Sequence, residues 1–577
     1  MTYPGCVMTP REAAFTVCRV NDNTPPPSVR SRSTGQNTLG TSRAAQVVVA
    51  VLCALVLSVT AASPTWADST AGGDLQVAQT LGDRDLTVIL RRVTGLPGTL
   101  HVDVLTHQGT AAGTLRLGTV PTGASADRAE GSSAGTTTSS ASVRLGSTPG
   151  SYGGALDIDR AGPWELVVDD GSRTARIPFV VPGQATSPPE LAVFGGFVTA
   201  GALMLVTLFV AVRVRRGAWV LLPAGGVVAA LAVAVTSALL SASLPLPPEP
   251  GGQVDATNDN VTNPYAVVRP VTNDYSRPPA SLQIGSYTAK AAERGTLRLS
   301  VTDGSTGLPA DDLIVHDSAL MHLLVIGPTG ELWHRHPIRT APGTYEVQLR
   351  LPAAGHYAVS AEFARRGGGI QHVRSATGLT VADGTARGGA PTLPAELTPQ
   401  GPGTRTIDGV SVRLSAPSPT AGEASTLTAR VGDTPTLQPW LGMVGHMIVV
   451  GPLDKTDATS PTRMGQAVQG APVWAHAHSM GGNTSSPSTH DMGGASAHHA
   501  GAREDENETS MGSMSGLMPL NGDSPADETV AAYGPDVSFV YTFSRPGYYR
   551  VWIQAERDSA VLTIPYLLRV APTGGAK

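Results

Sequence analysis

Two apolar runs without a charged residue, Leu191 to Val212 and Ala218 to Leu240, interrupt a chain whose other apolar positions mostly alternate with polar ones. At about 1.5 Å per residue, a helix of either length reaches roughly 33 Å, enough to cross a bilayer core. The pattern predicts transmembrane helices over 190–212 and 218–244. Their short connector holds Arg213, Arg215 and Arg216, so the positive-inside rule places the hairpin turn in the cytoplasm and both flanking regions outside.

An earlier apolar run, Ala44 to Ala62, follows Arg30, Arg32 and Arg43 and ends at Thr65-Trp66-Ala67. This is the pattern of a signal peptide over 44–67, with an uncleaved anchor as the other reading. Residues 1–43 are polar and Pro-rich and read as a disordered N-terminal region. Signal and hairpin agree on topology: a cell-membrane protein whose N-terminal β domain and C-terminal domains are extracytoplasmic.

Outside these runs the pattern is that of strands. Residues 68–187 contain Leu86-Thr-Val-Ile-Leu-Arg, Leu100-His-Val-Asp-Val-Leu and Trp164-Glu-Leu-Val-Val, a small β domain. Its middle, 122–142, is mostly Gly, Ser, Thr and Ala and reads as a disordered loop. Residues 245–282 form a Pro- and Asn-rich spacer. The remainder repeats itself: Met321-His-Leu-Leu-Val-Ile-Gly-Pro, Leu332-Trp-His-Arg-His-Pro and Gly355-His-Tyr-Ala-Val-Ser return as Gly445-His-Met-Ile-Val-Val-Gly-Pro, Val473-Trp-Ala-His-Ala-His and Gly547-Tyr-Tyr-Arg-Val-Trp. Order, periodicity and turn residues match, predicting tandem sandwiches over 283–383 and 406–572, joined by a Gly/Pro-rich linker, 384–405. The expected fold is mainly β: three immunoglobulin-like β-sandwich domains, a two-helix transmembrane hairpin and an N-terminal signal segment.

Composition narrows the chemistry. The 66 Gly and 46 Pro suit β domains joined by turns, and a net charge of -5 without long runs points away from a nucleic-acid surface. Cys6, Cys18 and Cys53 all lie in or before the leader, so the mature chain has no thiol for a disulfide, a blue-copper centre or a nucleophile. Neither GxSxG, HExxH nor a phosphate-binding glycine loop is present, and a non-catalytic protein is expected.

Each repeat carries a strand-start histidine and a His-Xaa-His pair: His322 with His334 and His336, and His446 with His476 and His478. Residues i and i+2 of a strand share a face, so each pair presents two imidazoles side by side. A third from the neighbouring strand would complete a three-nitrogen site for Cu(II) or Zn(II). A two-residue turn between Gly327 and Gly330 would put His322 on the opposite face from its pair, whereas a longer loop or a bulge would restore it. His316 is a further candidate in the first repeat, without an evident match in the second. His101, His107, His356 and His372 are expected to be ordinary surface or satisfied residues.

After the second pair, an insert over 479–530 gathers Met480, His490, Met492, His498, His499, Met511, Met514 and Met518 among Gly, Ser and acidic residues. Thioethers are soft ligands that prefer Cu(I), while imidazoles suit Cu(II), so this disordered segment is expected to collect copper in either oxidation state.

The motifs Leu441-Gly-Met-Val-Gly-His, Trp474-Ala-His-Ala-His and Pro546-Gly-Tyr-Tyr-Arg-Val resemble those of the YtkA-like bacterial extracytoplasmic modules, which are related in style to CopC-type copper carriers. Met321-His-Leu-Leu-Val and Trp333-His-Arg-His-Pro fit the same pattern. The resemblance covers about half the chain. It implies that His322, His334, His336, His446, His476 and His478 are the functional positions. It departs in one respect: the mature start near Asp68 offers no N-terminal histidine. The combined expectation is a membrane-anchored copper-binding protein for sequestration, delivery or resistance. Its partners would be the metal ion, the lipid bilayer and a separate copper transporter or cuproenzyme, because two short helices without intramembrane charge make poor transport material. The alternative is a surface adhesion or protein-interaction protein with no metal role.

Overall fold

The computed structural model describes residues 74–122, 138–183, 188–241, 279–384, 398–479 and 531–574, apart from residues 92, 94, 182, 215, 216, 288, 367 and 461. The N-terminal region, the signal segment, most of the spacer and linker, and the His/Met insert from Met480 to Met518 lie outside them.

Alternating burial folds the N-terminal domain into two antiparallel sheets. One orders Leu75–Leu81, Arg84–Leu90, Gly98–Thr106 and Gly150–Ile158; the other orders Ser139–Leu145, Gly113–Pro121, Gly162–Asp169 and Thr174–Val181. Val88, Val102, Leu115, Trp164 and Leu166 are among the side chains that fill the space between them. Residues 139–142, expected in a loop, belong to a strand. Their small polar side chains carry little pattern, and pairing with Gly113–Pro121 organises them instead.

Helices Pro188–Arg213 and Leu221–Ser241 are each long and apolar enough to cross a membrane. Leu205, Phe209, Leu222 and Leu239 are among their exposed apolar side chains, as a lipid-facing surface requires. Gly196 lets the helices approach closely, since a Cβ there would come within 2.9 Å of the Ala230 carbonyl oxygen.

Both repeats are two-sheet, immunoglobulin-like sandwiches. In the first, Ile338–Ala341, Thr344–Arg350, Arg294–Asp303 and Ala280–Ile284 face a sheet built on Leu313–Ile314, Gly355–Arg365, His322–Ile326 and Leu332–Arg335. In the second, Gly403–Ile407, Val410–Ser415, Ala424–Val431 and Asp536–Thr542 face one built on Leu437–Gln438, Gly547–Arg557, Gly445–Leu453 and Val473–Ser479, with Ala560–Val570 at its edge. The edge strands Ala280–Ile284 and Gly403–Ile407 begin inside the expected spacer and linker. The first alternates Ala280, Leu282 and Ile284 with polar residues but is short, the second has a single apolar residue, and each is held by its partner strand.

His322–Ile326 is buried at every position. Leu323 and Val325 point into the first sandwich, whereas Leu324 and Ile326 join Ile448, Val450 and Trp552 of the second repeat in a separate core. The two sheets therefore pack outer face to outer face, and a strand buried on both faces reads as a continuous apolar run. Two short helices between Gly445–Leu453 and Val473–Ser479, Lys455–Ala458 and Met464–Gln469, supply Ala458, Met464 and Val468 to the same core. Met464 N–H donates to the Pro328 carbonyl at 2.9 Å.

Candidate metal centre

The strand register answers the parity question. Leu324 pairs with His334 and Ile326 with Leu332, so the loop runs from Gly327 to Glu331 and His322 falls on the same face as His334 and His336. In the second repeat His446 pairs directly with His478, and Ile448 with His476. Each repeat thus assembles its own imidazole triad. The ring centroids are 5.0–5.4 Å apart in the first and 4.3–5.3 Å apart in the second.

The expectation of one site per repeat needs correction, because both triads lie on the outer faces that pack together. His476 stands 5.0 Å from His334 and 5.2 Å from His322, and His334 stands 5.8 Å from His446, centroid to centroid. Six imidazoles form one cluster. His322 and His446 are fully buried, His334 and His336 nearly so, and the His476 side chain is enclosed.

A local two-fold relation runs through the cluster. His322 Nε2 donates to the His316 carbonyl at 3.1 Å, and its Nδ1 lies 3.1 Å from His334 Nε2. His446 Nε2 donates to the Trp440 carbonyl at 3.0 Å, and its Nδ1 lies 3.1 Å from His476 Nε2. A carbonyl can only accept, so in each neutral first ring the lone pair sits on Nδ1, facing the second imidazole. Holding one ring nitrogen on a backbone carbonyl while presenting the other is how proteins orient metal-ligating histidines. Two nitrogens about 2.0–2.1 Å from one ion lie about 3 Å apart at bond angles a little above 90°. The donor atoms of His322, His334 and His476 fall within 4.8 Å of one another, as do those of His446, His476 and His478.

The sequence left His316 without a counterpart, and the structure supplies Trp440. Each opens the same turn six residues before the strand histidine, closed by bridges His316 to Ala319 and Trp440 to Met443. Positive φ angles at Asp317 and Ser318, and at Leu441 and Gly442, make both turns of the primed kind.

Burial pushes the imidazoles toward their neutral, ligating form. His322 is held down to about 4 by desolvation, and desolvation and neighbouring imidazoles hold His334, His336, His446 and His476 well below the usual range. His478 is shifted the same way by burial. Glu362, opposite His322 on the neighbouring strand, is pushed up to about 7 by burial. For Asp317 burial acts upward, but the hydrogen bond from His316, with electrostatic attraction to the surrounding rings, outweighs it and brings the carboxyl to about 2.

The N-terminal domain closes the cluster. Thr80 N–H donates to the His336 carbonyl at 2.7 Å, His336 N–H donates to Thr80 Oγ1 at 3.1 Å, and Ala78 N–H donates to the Ser318 carbonyl at 2.7 Å. Further along the joint, Arg339 bridges Glu165 of the N-terminal domain and Asp311. His107, expected at the surface, is buried against the second repeat, with Nδ1 2.8 Å from Glu556 Oε1; domain docking, invisible in a local pattern, covers it. His101 is exposed. His372 is satisfied by Ser360, whose Oγ lies 2.6 Å from Nε2.

Asp317, Glu362, Trp440, Gln554 and Thr80 are site residues that sequence reasoning missed. Only Asp317, beside His316, had a local signal. No known protein-family model matches the chain, and no curated protein does. Among solved structures, the Escherichia coli adhesin FdeC is 11% identical over 87% of this chain and 99% of its own, with a TM-score of 0.13. A tetra-tandem repeat from the extending region of a large adhesion protein is 10% identical over 87% and 74%, with a TM-score of 0.13. The fibronectin(III)-like modules of Clostridium thermocellum CbhA are 10% identical over 51% and 97%, with a TM-score of 0.12. At such scores these likenesses carry no argument about function.

Proposed function

We propose that the chain is a membrane-anchored, extracytoplasmic, non-catalytic metal-binding protein whose cargo is copper, with zinc as the other ion the ordered ligands suit. The observation that carries this reading is the merging of six imidazoles from two repeats, held toward their neutral form, into one largely buried cluster, two of them held on backbone carbonyls with a ring nitrogen turned inward. Structural histidines in a core need no such convergence, and three-nitrogen sets suit Cu(II) and Zn(II). The likeness of the repeat motifs to YtkA-like and CopC-type modules points the same way. The two apolar helices would anchor the chain, with Arg213, Arg215 and Arg216 on the cytoplasmic side and all three sandwiches outside. The His/Met insert leaves the last residue of Val473–Ser479, one residue beyond His478, so ions gathered by soft thioethers would pass directly to the ordered centre, for sequestration or for delivery to a separate transporter or cuproenzyme.

The test uses the full chain in detergent micelles with the eight His and Met positions of the insert replaced by serine. Stoichiometric Cu2+ binding by calorimetry is expected, weakened on the order of 100-fold by His476→Ala or His478→Ala. No binding, or binding indifferent to both substitutions, would leave the adhesion and protein-interaction reading in its place.

A further inference from the structure

The two-fold relation of the centre is broken by charge. Cross-strand pairing matches Glu362, opposite His322, with Gln554, opposite His446, and the two turns match Asp317 with Leu441 and His316 with Trp440. One half of the centre therefore faces two carboxylates, and its counterpart faces an amide, an indole and a leucine.

The geometry follows that division. His476 Nδ1 lies 3.4 Å from Glu362 Oε1, while the equivalent His334 Nδ1 meets Gln554 Oε1 at 2.9 Å. His478 Nδ1 and His316 Nε2 approach the same oxygen, Asp317 Oδ2, at 3.3 and 3.0 Å. Donor atoms of His316, Asp317 and Glu362 lie within 4.8 Å of one another. Although Glu362 Oε1 stands within ion-pair reach, buried His476 Nδ1 makes no hydrogen bond on its fully enclosed side chain, and buried His478 Nε2, which faces neither carboxylate at such range, makes none either.

We propose that this ionic half is a divalent-cation site of mixed imidazole and carboxylate ligands, formed across the joint by His476 and His478 of the second repeat with Asp317, Glu362 and His316 of the first. The proposal rests on reading the centre as a metal site and says where a divalent ion goes within it. A buried 2+ charge needs compensation, which two carboxylates supply and the neutral half does not. Oxygen and imidazole donors together suit Zn2+ and Cu2+ and disfavour soft Cu(I). Neither repeat holds the set alone, so occupancy also clamps the two sandwiches together.

The experiment is titration of the serine-insert full chain with Zn2+, together with the electron paramagnetic resonance spectrum of the Cu2+ form. Asp317→Asn and Glu362→Gln are expected to weaken Zn2+ on the order of 100-fold and to shift the Cu2+ spectrum toward all-nitrogen coordination. Thermal unfolding checks that the variants are folded, and Gln already occupies the equivalent position in the second repeat. The converse pair, Leu441→Asp with Gln554→Glu, is expected to raise Zn2+ stoichiometry from one ion to two. Unchanged affinity and spectrum in both neutralised variants would overturn the ionic-half site while leaving the six-imidazole reading intact. No ion bound by the parent chain would remove both.

Discussion

The two repeats share strands, turns and histidines, yet their outer faces are complementary, not alike. Moving along the strand beside the histidines, the first repeat presents Glu362, Ser360 and Ala358 where the second presents Gln554, Trp552 and Arg550. The first is small and acidic, the second bulky and without acid. Two identical outer faces would collide at the large residues and leave gaps at the small ones. Trp552 instead enters the joint core with Leu324, Ile326 and Ala358, and its Nε1 donates to the Gly330 carbonyl of the first repeat at 3.2 Å. A pair of duplicated sandwiches has become one heterologous unit, and the six-imidazole cluster sits where their histidine edges meet.

The largest test of this complementarity is Trp552→Ala. It empties a fully buried site in the joint core and is expected to cost about 3–5 kcal/mol, read from denaturant midpoints. It should also expose the linker flanks to protease, whereas a variant that melts like the parent would deny Trp552 its anchoring role.

Acid probes whether the triads behave as one centre. A histidine whose folded value is depressed contributes no penalty above its unfolded value near 6.5, and its neutral burial becomes costly as pH falls through that value toward the folded one. For His322, held at about 4, the loss is roughly 3 kcal/mol over that window. Glu362, raised to about 7, acts in the opposite sense and offsets about one histidine, while His334, His336, His446, His476 and His478 all act with His322. The metal-free protein should therefore lose stability in a single transition between about pH 6.5 and 4. Two separable acid transitions would mean that the repeats hold their histidines independently.

The smallest effect belongs to Ser360→Ala, the counterpart of Trp552. Removing the hydroxyl from His372 and the Val373 carbonyl should cost on the order of 1 kcal/mol, measured by thermal unfolding. A loss as large as that of Trp552→Ala would show the two faces to be equal contributors after all.

Much of this was legible in the chain. The His-Xaa-His spacing put His334 with His336 and His476 with His478 on one face whatever the register, because strand periodicity is local. The alignment of the repeats likewise singled out His322 and His446. Whether His322 could join its pair was not legible, since one residue more or less between Ile326 and Leu332 reverses the face, and turn chemistry at Gly327 and Gly330 admits both. The unbroken apolar run Leu323 to Ile326 did carry the signal that both faces of that strand are covered, although not what covers them. Glu362 lies 40 residues from His322 with nothing local to link them, and Gln554 is further still from its neighbour His334.

Periodicity, repeat and residue type, being properties of neighbouring positions, determined by themselves the apolar helices, the strands, the duplication and the imidazole pairs. Only the tertiary structure decided that two triads become one centre, that one half of it is charged, and that the N-terminal domain closes it. Those outcomes depend on which outer faces bury each other, a choice made by shape and charge complementarity between segments far apart in the chain.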